Sequence, residues 1–352
     1  MSVLCMVIKM SSSTIDAVIL WVDGNDPEWI REKNRYAGKG DSTVDSSTVR
    51  YRDLGVLKYW FRAIEANMPW INRVFFITNG QYPDWLNFKC PKLRFVKHSD
   101  YMPEEYLPTF SANPIELNLH RIKELSERFI FFNDDMFVIN PMEENDFFRD
   151  DFPVYPAGLH SIVPLGGKSE EIMSHIYVND VTLINRPFQI RCIKENWRTW
   201  FNPTKVGFKN AVMSVFLSNH AGFVGFHNHH LPVPLRKSTI EELWQKEGEI
   251  LHATSRNKFR SSSDVNQYVF RYWELARQSF VPIRGEKLGE YFVIHNDVRE
   301  LSKELEGFKG KMICLNDSDI DEACSEEEFE GIKKGLQLVF ERKYPQQSMF
   351  EL

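Results

Sequence analysis

The chain has 352 residues, of which 43% are hydrophobic, 14% aromatic and 26% charged, a balance that excludes a disordered polymer, a collagen-like repeat and a small disulfide scaffold. Its 43 Lys and Arg against 49 Asp and Glu give a net charge of -6. That is the wrong sign for a chain whose main partner is nucleic acid, although a local basic pocket suffices for a small anionic substrate.

In chain order, Met1 to Met10 and the serines after it are too short and wrongly flanked for a secretory signal. No later stretch reaches the ~18 apolar residues of a bilayer span, so any membrane association is expected to be peripheral. The five cysteines, at 5, 90, 192, 314 and 324, contain no close pair, which argues against a disulfide framework or a zinc ribbon and for a reducing compartment.

The first strand is read at Ile15–Val22 (IDAVILWV), stopping at Asp23-Gly24-Asn25-Asp26-Pro27. Gly24 permits close backbone approach there, and Asp26-Pro27 suits a helix start. Residues 37–50 are Gly/Ser/Asp-rich and read as a flexible loop. Leu57, Trp60, Phe61 and Ile64 recur at helical spacing within 55–67. Strands follow at Arg73–Thr78, before Asn79-Gly80, and at Leu93–Lys97. A helix beginning at Asn113 and running to Arg121 is expected to set Glu116 and His120 four apart on one face.

Phe129–Phe132 (FIFF) is a strand that stops at Asn133-Asp134-Asp135, and 141–170 reads as irregular. Helices are expected at 209–218, 239–252, 264–278 and 325–343. Strands are expected at Tyr291–Ile294, before His295-Asn296-Asp297, and at Lys311–Leu315, before Asn316-Asp317. Strands alternating with helices imply an α/β fold, Rossmann-like, with a mostly parallel sheet flanked by helices and a helical insertion. The organisation expected is an extension at 1–14, a first part of the catalytic core at 15–140, an insertion at 141–290 contributing His230 and Arg260, and a C-terminal part of the core at 291–352. Open α/β sheets bind ligands outside the carboxyl ends of their strands, so the three acid-terminated strands converge on one site if they are neighbours.

Asn133-Asp134-Asp135 offers hard oxygen ligands suited to Mg²⁺ or Mn²⁺ at a strand end; a turn whose Asn and Asp satisfy local backbone groups has the same sequence. His227, His229 and His230 crowd four positions without the spacing of a zinc finger, leaving a polar loop or a general base. Arg260 has the fork to clamp a phosphate, though most arginines are surface residues. Glu116 and His120 fit either a pocket-lining helix or a solvated one.

Taken together, these segments resemble the Stealth family of sugar-1-phosphate transferases, which includes bacterial capsule and exopolysaccharide enzymes and the catalytic subunit of the lysosomal-enzyme GlcNAc-1-phosphotransferase. The resemblance is carried in order by Ile15–Pro27, by Arg52-Asp53, Pro69-Trp70-Ile71, Phe76–Gln81, Leu107–Ser111, Ile115–Arg121 and Asn133–Asp135, by His230-Leu231-Pro232 and Phe259-Arg260, and by Ile313–Asp317, with Phe350-Glu351-Leu352 at the end. Where the family has His-Met-Pro-His, this chain has His230-Leu231-Pro232-Val233 and so lacks the second histidine. The resemblance implies an active site containing Glu116, Asp135, His230 and Arg260, with Asn316 joining Asp135 at the metal. Within the same blocks the reading adds Asp53 to the catalytic set and Asp317 to the metal ligands. Asp23, Gly24, Arg52, Asn79, Asn118, His120 and Asp134 are read as substrate-binding.

The activity so implied is transfer of a sugar 1-phosphate, an N-acetylhexosamine 1-phosphate, from a UDP-sugar to a hydroxyl of a growing glycan. The products are a phosphodiester in a bacterial surface polysaccharide and UMP. Mg²⁺ or Mn²⁺ at Asp135 and Asn316 draws charge from the diphosphate, Arg260 stabilises the phosphoryl group, and His230 takes the acceptor proton; Glu116 is the competing base or a ligand of a sugar hydroxyl. A donor made inside the cell implies a cytoplasmic enzyme, at most peripheral at the inner face of the membrane. Two rival readings fit the same residues: a metal-dependent glycosyltransferase releasing UDP, and an inactive glycan-binding module whose aromatic faces stack on sugars.

Overall fold

The computed structural model describes residues 14–37, 44–45, 51–164, 166, 168–285, 288–294, 298–317, 320 and 324–352. The extension through residue 13, the 37–50 loop apart from Ala37 and residues 44–45, and the His295-Asn296-Asp297 strand end lie outside the described residues. The first half of the chain forms β1 (Ile15–Leu20), α1 (Pro27–Tyr36), β2 (Val44–Asp45), α2 (Leu57–Asn67), β3 (Val74–Thr78), β4 (Leu93–Lys97), α3 (His98–Tyr101), α4 (Ala112–Leu117), β5 (Arg128–Phe132), β6 (Met136–Val138), α5 (Glu144–Phe147), β7 (Phe148–Arg149) and β8 (Phe152–Pro156). A helical stretch follows: α6 (Lys168–Asn185), α7 (Arg191–Glu195), α8 (Trp197–Trp200), α9 (Pro203–Val206) and α10 (Phe208–Leu217). The remainder is β9 (Val233–Arg236), α11 (Lys237–Ser255), β10 (Arg260–Ser261), α12 (Tyr268–Arg277), β11 (Val281–Ile283), β12 (Gly289–Val293), α13 (Val298–Gly307), β13 (Met312–Asn316) and α14 (Glu326–Lys343).

The main sheet has the order β4-β3-β1-β5-β9. The β4-β3, β3-β1 and β1-β5 pairs are parallel and β9 closes one edge antiparallel to β5. Every residue of β1, β3 and β5 is buried, as their unbroken apolar runs require. Alternation along each strand sends side chains to opposite faces. Ile15, Ala17 and Ile19 of β1 join Val74 and Phe76 of β3 in a core shared with α2, α14 and β13. Val18 and Leu20 join Phe75 and Ile77 in a second core completed by α11 and α12. The fold is therefore a Rossmann-like α/β sheet covered by helices on both faces.

The chain moves from β1 to β3 and β4 on one side and then crosses to β5 on the other, so the crevice of this open sheet lies between the ends of β1 and β5. The third acid-terminated strand is not in this sheet. β13 pairs with β12 in parallel and with β6 antiparallel in a separate three-stranded sheet. It reaches the crevice because β6 leaves β5 directly through Asn133-Asp134-Asp135, and the Leu315 N–H donates to the Asp135 carbonyl at 2.8 Å.

Two further expectations are corrected. Within 141–170, expected to be irregular, residues 144–156 form α5, β7 and β8, with β8 pairing to β11, while 157–164 have no helix or strand beyond an isolated bridge at Leu159. The helix expected over 113–121 stops at Leu117, because Asn118 sits at φ -102°, ψ 3° and its side-chain amide donates to the Pro114 carbonyl at 2.8 Å. A 3₁₀ turn takes over at Leu119–Arg121 and turns His120 away from the face of Glu116.

Candidate active site

A cavity of about 1370 Å³ opens at the carboxyl ends of β1 and β5. Its lining brings together Arg52, Asp53, Asn79, Glu116, Asp134, Asp135, His230, Arg260, Asn316 and Asp317 from the sequence-derived set. The ends of β5 and β13 bring the acidic residues, while α4 brings Glu116, β10 brings Arg260 and the segment just before β9 brings His230, which reaches Asp135.

Among the acidic residues, Asp135 Oδ2 lies 3.3 Å from His230 Nε2 and accepts from the Cys314 thiol at 3.3 Å. Its Oδ1 is enclosed and has no hydrogen-bond partner. Burial, compounded by the charges of Asp135, Asp53 and Asp317, pushes the Asp134 carboxyl far above the usual carboxylate range. Burial also raises Asp53, whose carboxylate accepts the Gly55 N–H at 2.9 Å. Crowded carboxylates with an orphaned inward oxygen fit a divalent cation, which neutralises the mutual repulsion and takes the vacant lone pair. Asp135, His230 and Cys314 also have ligand atoms within 4.8 Å of one another. Burial and the charge of Asp135 push the Cys314 thiol strongly up, however, so it stays protonated and suits a hard cation poorly. Asp135, Asn316 and Asp317, which line the same cavity, offer the oxygen atoms that could hold such a cation.

Also lining the cavity, Glu116 is buried and accepts the Gln267 N–H at 3.3 Å. Burial pushes its pKa up to about 7, against the pull of Arg260, the Gln267 hydrogen bond and His230. His230 is engaged at both ring nitrogens, Nε2 toward Asp135 and Nδ1 at 3.1 Å from the Tyr268 hydroxyl. Burial works against its charged form, yet the hydrogen bond and charge of Asp135, with Glu116, raise its pKa overall. Arg260 is fixed on β10, paired across the two-stranded ribbon with Asp45 of β2, with Nη1 3.2 Å from the Met173 sulfur.

Two residues that sequence reasoning missed complete this lining. Ser111 and Gln267 line the cavity, are almost wholly buried, and hold an enclosed oxygen without a partner, Oγ and Oε1 respectively. Nothing in their residue type signals this; Ser111 was visible only as the end of the Leu107–Ser111 block.

The remaining sequence-derived residues lie behind the cavity. Asp23 is a loop organiser, its carboxylate accepting the Asn25 N–H at 2.9 Å while its own N–H reaches Gln81 Oε1 at 3.1 Å. A Cβ on Gly24 would stand 1.9 Å from the Tyr51 carbonyl oxygen, so glycine is needed there to let the cavity-lining Tyr51 approach. Asn118 is buried behind α4, donating to Ser255 Oγ at 3.0 Å and accepting from Arg121 Nε at 2.8 Å. His120 packs on Trp244 with ring centroids 5.5 Å apart, and burial drives its pKa down to about 4. These four support the site rather than line it. His229, from the histidine cluster, is held by the Arg271 guanidinium at 2.7 Å, which leaves that ring nitrogen no room for a metal.

An open α/β sheet whose crevice gathers acidic oxygens, an Arg, a His and a buried Glu has the groups that an enzyme acting on a charged substrate needs. The sequence matches three conserved regions of the Stealth proteins: region 1 over residues 14–41, region 2 over 50–154 and region 3 over 229–272. It is 38% identical over 342 residues to a capsular polysaccharide phosphotransferase WcwK of Streptococcus pneumoniae, covering 96% of this chain and 99% of the relative. It is 40% identical over 306 residues to the receptor polysaccharide phosphotransferase WefC of Streptococcus oralis, covering 86% and 90%. It is 35% identical over 339 residues to the exopolysaccharide phosphotransferase cps2G of Lactiplantibacillus plantarum, covering 96% of each. The chain belongs to the Stealth family, and it is a phosphotransferase.

Proposed function

We propose that the protein transfers a sugar 1-phosphate, an N-acetylhexosamine 1-phosphate, from a UDP-sugar to a hydroxyl of a growing bacterial surface polysaccharide, forming a phosphodiester and releasing UMP. The observation that carries this reading is the presence, in the lining of one cavity, of the Asp135 oxygen cluster together with Glu116 and Arg260. At about 1370 Å³ the cavity exceeds the usual ~300–1,000 Å³ of a single-ligand pocket and has room for donor and acceptor together.

Asp135, Asn316 and Asp317 are the residues to hold Mg²⁺ or Mn²⁺, which when bound neutralises charge on the diphosphate. The acceptor oxygen attacks the phosphorus that carries the sugar. The bond from that phosphorus to the bridging oxygen breaks, UMP leaves with the electron pair, and the anomeric C–O bond is untouched. Arg260 presents its fork to the phosphoryl oxygens as charge redistributes. The sequence offered His230 and Glu116 as competing bases, and the geometry favours Glu116. Its carboxyl has a pKa near neutrality and faces the cavity, whereas both nitrogens of His230 are already engaged. His230 then orients Asp135. Ser111 Oγ and Gln267 present unpaired polar atoms suited to sugar hydroxyls and an acetamido group.

Nucleotide sugars are made inside the cell, so we assign the reaction to the cytoplasmic side, at the inner face of the membrane. Incubation with a panel of UDP-sugars, glycan acceptor and Mg²⁺ tests the proposal. UMP as the nucleotide product supports it, and UDP identifies a glycosyltransferase instead.

A further inference from the structure

Helix α10 is apolar on both faces. The face it turns inward carries Ala211 and Leu217, which join the second core, with Asn210 and Ser214, whose polar groups are used: Asn210 Oδ1 meets His160 Nε2 at 3.2 Å and Ser214 Oγ accepts the Leu159 N–H at 3.1 Å. The face it turns outward carries Phe208, Val212, Val215 and Phe216, at spacings of four, three and one, which gather them on one stripe of the helix surface. Phe208 is 73% exposed and Phe216 69%, so two of the bulkiest apolar side chains of the protein stand in water. In α8, which packs on the α9 that precedes α10, Trp197 is 56% exposed. A helix at a water-facing surface has polar residues along its outward stripe.

The surroundings of this stripe are basic. Between residues 191 and 220 the chain has five Lys and Arg against the single Glu195, although the whole protein has a net charge of -6. Lys205 and Lys209 are exposed at the N-terminal end of α10, and Lys194 sits at its C-terminal end, donating to Asn219 Oδ1 at 2.9 Å. Aromatic and branched side chains rimmed by Lys and Arg match the boundary between headgroups and acyl chains in an anionic bilayer. A second copy docked two-fold on this stripe would bring the same positive rims together, which disfavours a dimer as the occupant.

We infer that α10 is a membrane-docking surface that inserts Phe208 and Phe216 at the interface of an anionic lipid bilayer while the neighbouring lysines meet the headgroups. The stripe lies close to the cleft: Asn210 on its inner face holds His160, whose ring stands 4.8 Å from that of the cavity-lining His227. Docking here would hold the cleft near the membrane surface. The inference locates the membrane contact assumed in the proposed function, but its test needs no turnover and so stands or falls separately from the transfer chemistry.

The test is sedimentation of the full chain with vesicles of phosphatidylcholine alone or with one-third phosphatidylglycerol, at low salt and in ~0.5 M NaCl, where surface charge is screened within a few ångströms. Binding is expected to the anionic vesicles at low salt and to be weaker on neutral vesicles or in high salt. The exposed pair Phe208→Ser with Phe216→Ser should reduce partitioning by about tenfold or more, and Lys205→Glu with Lys209→Glu should do the same, with thermal unfolding unchanged in both. Absence of binding by the wild type, or binding unaltered in both double variants, overturns the inference. So does a stable dimer in light scattering that becomes monomeric in the Phe variant, which would make a second copy the occupant.

Discussion

Asp135 divides its carboxylate between two tasks: Oδ2 takes the Cys314 thiol and faces His230 Nε2, each at 3.3 Å, and Oδ1 is left enclosed and unpaired. One oxygen is thus oriented by the protein, and the other is available to a cation. Asp135→Asn keeps the shape and removes the anionic oxygen. It is expected to lower kcat on the order of 10²–10³-fold, the scale of losing one electrostatic stabiliser, with the unfolding midpoint preserved. EDTA should silence the wild type, and added Mg²⁺ or Mn²⁺ should restore it. Normal Mg²⁺-dependent turnover by Asp135→Asn would remove this residue from the metal site.

Glu116 links activity to stability through pH. Its ordinary value is 4.5 and burial raises it to about 7 in the folded protein. Between those values the folded state keeps a proton that the unfolded chain has released. Stability is therefore complete below about pH 4.5 and declines as pH rises through 7, by at most about 3 kcal/mol. Glu116→Gln still accepts the Gln267 N–H and never ionises. It should be more stable than the wild type at pH 8 and equal to it near pH 4.5, as measured by urea unfolding, while losing the acidic limb of the pH–rate profile. If that limb instead disappears in His230→Ala and survives in Glu116→Gln, the base is His230.

Arg260 and His230 should fail in different ways. Arg260→Lys retains the charge but loses the bidentate fork, so transfer should slow by about 2–4 kcal/mol in activation free energy. His230→Ala leaves Asp135 without its ring neighbour, and the apparent affinity for Mg²⁺ should weaken about 10–100-fold, the scale of removing an orienting partner. Metal titration of initial rates distinguishes the two, since excess Mg²⁺ should recover activity in His230→Ala and not in Arg260→Lys.

Much of this site was readable before the fold was known, for a physical reason. β1, β3 and β5 are buried on both faces and therefore appear as unbroken apolar runs, and their acidic ends mark where the sheet meets solvent. The route by which Asn316 and Asp317 arrive was not readable, because β6 is three residues long and its pairing with β13 is a tertiary choice. Edge strand β9 was hidden by Pro234, which an edge tolerates but a central strand does not. His120 was misplaced because a four-residue spacing assumes a continuous helix, and Asn118 ends it. A helix was expected at 209–218 and α10 spans Phe208–Leu217, but a helix assignment does not say which residues are left in water.

Ser111 and Gln267 escaped notice because their distinguishing property is the absence of a partner, which no sequence pattern encodes. Leaving a polar group buried and unpaired costs about 1–3 kcal/mol. Gln267→Met should therefore leave stability unchanged or raise it, while raising KM for the sugar donor. Ser111→Ala should behave alike, having no side-chain hydrogen bond among the described residues to lose. Calorimetry alongside donor titration checks both. A substantial loss of stability without a change in KM would mark them as structural.

The central claim, that phosphorus rather than the anomeric carbon is attacked, is tested most directly with a UDP-N-acetylhexosamine labelled with ³²P in the β-phosphate. In the presence of enzyme, Mg²⁺ and acceptor glycan, the account predicts that the label enters the polymer in a phosphodiester while unlabelled UMP is released. Label retained in UDP, with only the sugar reaching the polymer, would contradict it.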